Sequence, residues 1–499
     1  MKKMKKIASL IMAIITVLAM TSSVLAATIT ITGGANGSEY AAYKLLNATV
    51  DANDDTKVSY SVNSKYESVL KTVTGKNTAE EIIAYIGTLD AAGTRTFADA
   101  VYGKLGSIAA DITTTTDKFE NVEPGYYLIA ETTTGNAQDT YSLVMLDTAK
   151  GKDFTIKTKE DKPELVKKVK DVNDSKGEVS NWQDSADADV GDEIEYQLTG
   201  TVSNLIDNYE TYFYKFYDTM THLTYVAGSA VVTVKTGEDS FDITKQVSVE
   251  WNASTKTLTV TCNDLKKVDA KVNADTEVIV YYKATLDADA TVGSAGNPNT
   301  AYLEYNNNPY YNGEGKPGKT PNDTNIVFTY KTVINKVNED GKPLAGATFT
   351  LEKFVKDENG SDEYKGVNGT WVAKNTVETK PDTRFTFSGL DDGYYRLKET
   401  AHPDGYNSIS DIYFAVEATH DELADSPELK SLTGKAITGE IEFTSNVKDG
   451  SLTSDVENKS GSTLPSTGGM GTTIFYVVGS ILVLGAAILL ITKKRMSAR

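Results

Sequence analysis

Short runs rich in Val, Ile, Thr and Tyr, closed by Gly, Asn or Asp turns, commit most of this chain to β-sheet. "AVVTVKT", "TLTVTC", "EVIVYYKATL", "ATFTLEKF" and "RFTFSGL" are examples. Branched and aromatic side chains crowd a helix but fit a pleated surface. Two segments in the first third break the pattern. "TAEEIIAYIGTL" (78–89) has Thr78 as an expected N-cap and apolar residues at helical spacing, and "TFADAVYGKLGSIA" looks similar. The spacing therefore predicts a first domain of sheet with helical insertions, followed by all-β structure.

The two ends carry different signals. Lys2, Lys3, Lys5 and Lys6 precede an apolar stretch from Ile7 to Met20, and small residues before Ala27 make residues 1–26 a secretory signal. At the other end "LPSTG" (464–468) is followed by an apolar run, Ile474–Ile491, and by Lys493, Lys494 and Arg495. The run reaches the bilayer minimum of about 17 residues, and the basic tail is expected to stay cytoplasmic. The protein is thus expected to be exported and held at the surface.

The remaining length suits about three domains at about 150 residues each. Formal charge is −19. Removing both ends takes away eight Lys/Arg and no acid, leaving 42 basic against 69 acidic residues, or −27. That argues against nucleic acid or anionic lipid as partner. The one cysteine, Cys262, rules out an intramolecular disulfide. Stability outside the cell must come from elsewhere.

A repeat is visible. "EPGYYLIAETTTG" (123–135) and "DDGYYRLKETAHPDGY" (391–406) share Gly-Tyr-Tyr, a strand and Glu-Thr, which suggests two copies of one domain type flanking another. Boundaries fall near 160 and 329, where "KTKEDKP" and "GEGKPGKTPNDT" read as linkers. The expected order is a signal (1–26), an N-terminal domain (27–160), a middle domain (161–328), a C-terminal domain (329–461) and the terminal signal (462–499).

Leu464, Pro465, Ser466, Thr467 and Gly468, with the apolar span and basic tail, resemble the cell-wall sorting signal of Gram-positive surface proteins. "TVINKVNEDGKPLAGATFTLEK" (332–353) with the second repeat resembles a collagen-adhesin B-type domain, an immunoglobulin-like sandwich. The whole order resembles the sortase-assembled major (backbone) pilins of Gram-positive bacteria, with B-type, A-type and B-type sandwiches in tandem. The resemblance implies a structural shaft subunit, secreted and anchored in the cell wall as part of an extracellular pilus. A sortase would cut between Thr467 and Gly468 and pass the Thr467 carbonyl to an amine. Implied partners are a class C pilin sortase, a housekeeping sortase, neighbouring pilin subunits and peptidoglycan, with a host surface ligand left open. A monomeric wall-anchored adhesin and a basal pilin, with a ligand surface in the first domain, are the alternatives.

The family also implies spontaneous Lys–Asn isopeptide bonds promoted by a buried acid. In "VINKVN", alternation puts Ile334 and Lys336 on one face. A buried amine loses its proton and becomes nucleophilic. Asn458 on the last strand would be the acceptor and Glu399, of the repeat, the proton-shuttling acid. In the middle domain, Lys167 shares parity with Leu165 and Val169, and Asp218 with Tyr214 and Phe216. Asn299 aligns with Ala301, Leu303 and Tyr305, and Asn297 has the same parity and stays an alternative acceptor. The first domain offers Lys44 and Glu131, but its closing strand lacks an asparagine; Asp153 could lose water instead, and no bond is expected there. The polymerisation lysine is usually in a Tyr-Pro-Lys motif, absent here. Aligning Phe154 and Ile156 brings Lys159 to that position, with Lys157 and Lys162 open.

No cofactor or metal is expected. "DVNDSKG" (171–177) starts like a calcium loop, but its glycine falls late and position twelve is Trp182. A nonstandard cation site in the acidic loop Asp184–Asp189 stays open. His222, His402 and His420 have no metal spacing. No nucleophile elbow or phosphate loop appears, so an enzyme reading has only generic carboxylates behind it.

Overall fold

The structure is a computed structural model describing residues 26–34, 36–51, 54–134, 141–149, 153–158, 162–309, 317–357, 369–374, 377–379, 383–461 and 470–496. Residues 1–25 of the expected signal, Lys159 and the sorting residues Leu464, Pro465, Ser466, Thr467 and Gly468 lie outside the described residues.

The first domain packs a three-stranded sheet (Lys118–Val122, Ala27–Thr32, Asp153–Lys157) against a five-stranded one built on Glu39–Asp51 and Gly125–Thr133. Helices Glu67–Thr74, Ala79–Gly87 and Ala91–Tyr102 cover the second sheet, with Leu70, Ile82 and Phe97 buried against Leu45 and Leu128. Thr78 caps the second helix in a reciprocal box with Glu81. The third helix differs from the expected 96–109. It begins earlier because the Asp90 side chain accepts from Gly93 N, and it stops before Gly103. The helix Glu67–Thr74 was not anticipated, since eight residues give too little period to detect.

The middle domain is a sandwich of a six-stranded and a seven-stranded sheet. In Thr276–Leu286 every second residue is buried, and Asn297–Tyr305 behaves the same way. Inward residues Leu198, Val280 and Tyr282 of one sheet face Phe216, Val260 and Leu303 of the other, making one apolar core. The presumed linker at 313–324 is partly sheet. Gly318–Lys319 and Asp323–Phe328 both hydrogen-bond to Asn297–Tyr305, and in the second strand Asn325 and Val327 alternate inward to the middle-domain core past the Pro/Gly stretch.

The C-terminal domain packs two five-stranded sheets. Its first and last strands, Tyr330–Asn338 and Ser451–Asn458, run parallel as neighbours, with Lys336 opposite Val456 and Asn338 opposite Asn458. Ile334, Phe387 and Leu452 from one sheet meet Leu351, Leu397 and Phe414 from the other. Beyond it lies a helix, Met470–Met496, whose Ile474–Lys494 stretch has a mean hydropathy of 2.7 and is long and apolar enough to cross a membrane.

Phe387 is fully buried between these sheets. Phe387→Ala is expected to cost about 3–5 kcal/mol, read as a lower denaturation midpoint with an unchanged middle-domain transition.

Candidate functional site

Lys167 enters the middle-domain core from the edge strand Leu165–Val169 and is wholly buried, as are Asp218 and Asn299. Its Nζ lies 2.8 Å from Asp218 Oδ2 and 2.9 Å from the Tyr282 hydroxyl. That hydroxyl donates to Asp218 Oδ2 and accepts from Asn299 Nδ2 at 2.9 Å. Tyr196 stacks on Tyr282 at 5.2 Å and puts its ring 4.9 Å from the Lys167 nitrogen. Burial pushes the Lys167 amine down from its usual range, against the opposing pull of Asp218. Asp218 Oδ1 and Asn299 Oδ1 receive no hydrogen bond among the described residues.

The two lysine partners come from the opposite sheet. Asp218 on Tyr214–Met220 pairs with Ala301, and Asn299 pairs with Met220, so acid and amide are diagonal neighbours on one inner face. Asn297 is placed differently. Its amide is held by backbone on all sides, accepting from Thr291 N at 2.8 Å and donating to Thr291 O and Val327 O. The residue that sequence reasoning missed is Tyr282, although the alternation Val278, Val280, Tyr282, Ala284 already pointed it inward.

In the C-terminal domain Lys336 is wholly buried and donates to Val456 O at 2.7 Å and Val337 O at 3.2 Å. Burial lowers its amine to about 8, with Glu399 and Glu457 pulling the other way. Asn458 is also buried, and its Nδ2 donates to Glu399 Oε1 and Asn407 O, both at 2.9 Å. Its Oδ1 receives no hydrogen bond among the described residues. Glu399, expected to be enclosed, is only half-buried, because its strand Gly393–Ala401 is running out of the sandwich there. Its other oxygen accepts from Ile409 N at 3.0 Å, which fixes the carboxyl towards Asn458.

Among the described residues the first domain makes no comparable set. Lys44 bonds Glu123 at 2.8 Å, while Glu131 pairs in register with Tyr40, four residues away. Asp153 is exposed in the other sheet, opposite Thr28. Lys157 and Lys162 are both exposed.

With this geometry in view, three family models match the chain. Residues 190–309 match a Gram-positive pilin backbone subunit 2, Cna-B-like domain; residues 331–427 match a prealbumin-like fold domain; residues 456–497 match the LPXTG cell wall anchor motif. The middle of the chain thus matches a domain of Gram-positive backbone pilins, and its end matches their kind of wall-anchor motif. The chain is a secreted, wall-anchored surface protein. A curated relative, the trypsin-resistant surface T6 protein of Streptococcus pyogenes serotype M6, is 29% identical over 264 residues, or 43% of this chain and 48% of the relative. The chain therefore spans about half the length of that relative. The solved T6 backbone pilin of serotype M6 S. pyogenes aligns over 87% of this chain and 98% of its own, at 18% identity and a TM-score of 0.55, and shares the fold. The full-length major pilin SpaD of Corynebacterium diphtheriae aligns over 87% of this chain and 98% of its own, at 16% identity and a TM-score of 0.48.

Replacing Asn458 by Ala removes the amide and keeps Lys336 as a buried amine. Its amine is then expected to titrate at about 8. The unfolded chain holds that proton to higher pH, so the variant's stability should rise as pH increases from about 8 towards the ordinary lysine value of about 10.4. Denaturant midpoints across that range, compared with Lys336→Met in the same background, test this; the Met chain should show no such rise.

Proposed function

We propose that this chain is the shaft subunit of a covalently polymerised pilus, joined through Thr467 to a lysine of the next subunit and stiffened by Lys167–Asn299 and Lys336–Asn458 isopeptide bonds. The observation that carries this reading is the burial of two lysines inside two successive domains, Lys167 in one hydrogen-bonded network with Asp218 and Asn299, and Lys336 two register places from Asn458, whose amide bonds Glu399.

The chemistry follows from the surroundings of each amine. A neutral Lys Nζ attacks the Asn Cγ, and the neighbouring carboxylate takes up the proton that Nζ sheds. The acid then delivers a proton to the departing Nδ2, ammonia leaves, and the Nζ–Cγ amide remains. In the middle domain the Tyr282 hydroxyl touches Lys167, Asp218 and Asn299, so it orients all three and can pass protons between them. The chain is in this sense a substrate of its own fold and of sortases rather than an enzyme.

The two bonds would act differently. Lys167–Asn299 would tie one sheet to the other, whereas Lys336–Asn458 would tie two adjacent parallel strands that begin and end a domain. The second closes a loop of about 120 residues, worth about 5 kcal/mol by chain-entropy reasoning. Its mechanical consequence is larger, since tension entering at one terminal strand leaves by the other without loading the hydrogen-bond ladders.

Intact mass of residues 27–467 expressed alone is expected to fall short of the sequence mass by two ammonia molecules. Asp218→Ala and Glu399→Ala should each restore one. An unshifted wild-type mass would contradict the bonds.

Boiled wall extracts should show a high-mass ladder on gels, lost with Lys159→Ala. A single band from wild type would favour a monomeric adhesin. A ladder that survives Lys159→Ala but not Lys157→Ala or Lys162→Ala would move the assignment to that residue.

A further inference from the structure

The acids of residues 171–192, which resemble a failed cation loop in sequence, are engaged by the C-terminal domain. Backbone bonds cross the boundary along the segment's length. Lys356 N donates to Asp174 O at 3.0 Å, Asp184 N to Glu422 O at 2.7 Å, and Val190 N to Gly389 O at 3.0 Å. Ser175, itself buried, donates to Phe354 O and accepts from Tyr394 N. The fit is close: a Cβ on Gly389, which has φ +75°, would lie 2.5 Å from Val190 Cγ2.

Two charged clusters close this contact. Lys353 of the C-terminal domain is wholly buried, with Nζ 2.8 Å from Asp189 Oδ2 and 2.6 Å from Asp391 Oδ2. Lys374 adds a second cation 2.7 Å from Asp189, and Asp391 N donates to Asp189 Oδ1 at 3.0 Å. In the other cluster, Ser185 Oγ donates its one proton to Asp421 O, so it must accept from His420 Nδ1 at 2.7 Å. His420 Nε2 faces Asp171 at 3.7 Å and Asp187 at 3.8 Å. Nδ1 therefore carries a proton, and against the opposing effect of burial Asp171 and Asp187 push the ring up to about 10, which favours the imidazolium. Ser, His and Asp meet here, but the serine is fully buried and its hydroxyl is committed to a carbonyl.

We infer that residues 171–192 form a clasp that holds the middle and C-terminal domains as one rigid body, closed by Lys353 between Asp189 and Asp391 and by His420 against Asp171 and Asp187. Opening it would leave Lys353 and His420 without the carboxylates of the middle domain and would break the backbone bonds together. The segment thus behaves as a structural part of both domains.

Hydrogen–deuterium exchange on the mature chain (27–467) tests this. In wild type the amides of Asp184, Val190, Lys356 and Asp391 should exchange as slowly as the sheet amides of Val280 and Leu397. Removing one partner of a buried ion cluster is costly, so Lys353→Met should speed those four by roughly a hundredfold or more, with Val280 and Leu397 unchanged. Fast exchange of the four in wild type would overturn the clasp, and so would an unchanged rate in the variant. Should Lys353→Met alone unfold the C-terminal domain, the triple change Lys353→Met, Asp189→Asn and Asp391→Asn removes the charges together. Exchange at Asp184 and Val190 unaltered in that chain would equally overturn the inference.

Discussion

An ammonium cannot be taken into an apolar core without a partner, and this constraint organises the molecule. Lys167, Lys336 and Lys353 are all wholly buried. Burial weakens the first two amines as bases. Lys353 differs: burial pulls its proton off, but Asp391, Tyr395, Asp189 and Asp174 together hold it on, well above the usual lysine value. A neutral amine beside an amide is a nucleophile, while a charged one between carboxylates is an ion pair. The number of acids around each lysine thus separates the sites suited to a bond from the one suited to a clasp.

Such a division suits a chain with no disulfide to rely on. Its sole cysteine, Cys262, is buried in the middle-domain core, where burial pushes the thiol up to about 11 and keeps it inert. Within the middle and C-terminal domains the proposed bonds at Lys167 and Lys336 would tie sheet to sheet and first strand to last. Between those domains the clasp supplies contacts that are individually reversible but mutually dependent. The first domain is built on a different plan, with three helices over one sheet and Lys44 paired to Glu123 near the surface.

Much of this was legible in the sequence because alternation is strict where both faces of a strand have different neighbours. Lys167, Asp218, Asn299 and Lys336 each sit an even number of places from large apolar residues, and each points inward. Parity could not separate Asn297 from Asn299; the turn at Thr291, which takes up the first amide, does so only in three dimensions. Tyr282 escaped notice because its role depends on groups from three other strands. Glu399 was expected to be enclosed, yet burial at the end of a strand depends on where the opposing sheet stops. The cationic partners of Asp171, Asp187 and Asp189 lie more than a hundred and sixty residues away, beyond the reach of any local pattern.

The central claim is that the carboxylate surroundings of a buried lysine decide whether it becomes an amide or stays an ion. Tryptic digestion of the denatured mature chain, followed by tandem mass spectrometry, tests it in one experiment, because trypsin does not cut after an acylated lysine. The account predicts no cleavage after Lys167 or Lys336, branched peptides joining them to Asn299 and Asn458, and ordinary cleavage after Lys353. Cleavage after Lys167 and Lys336, or a branched peptide at Lys353, would contradict it.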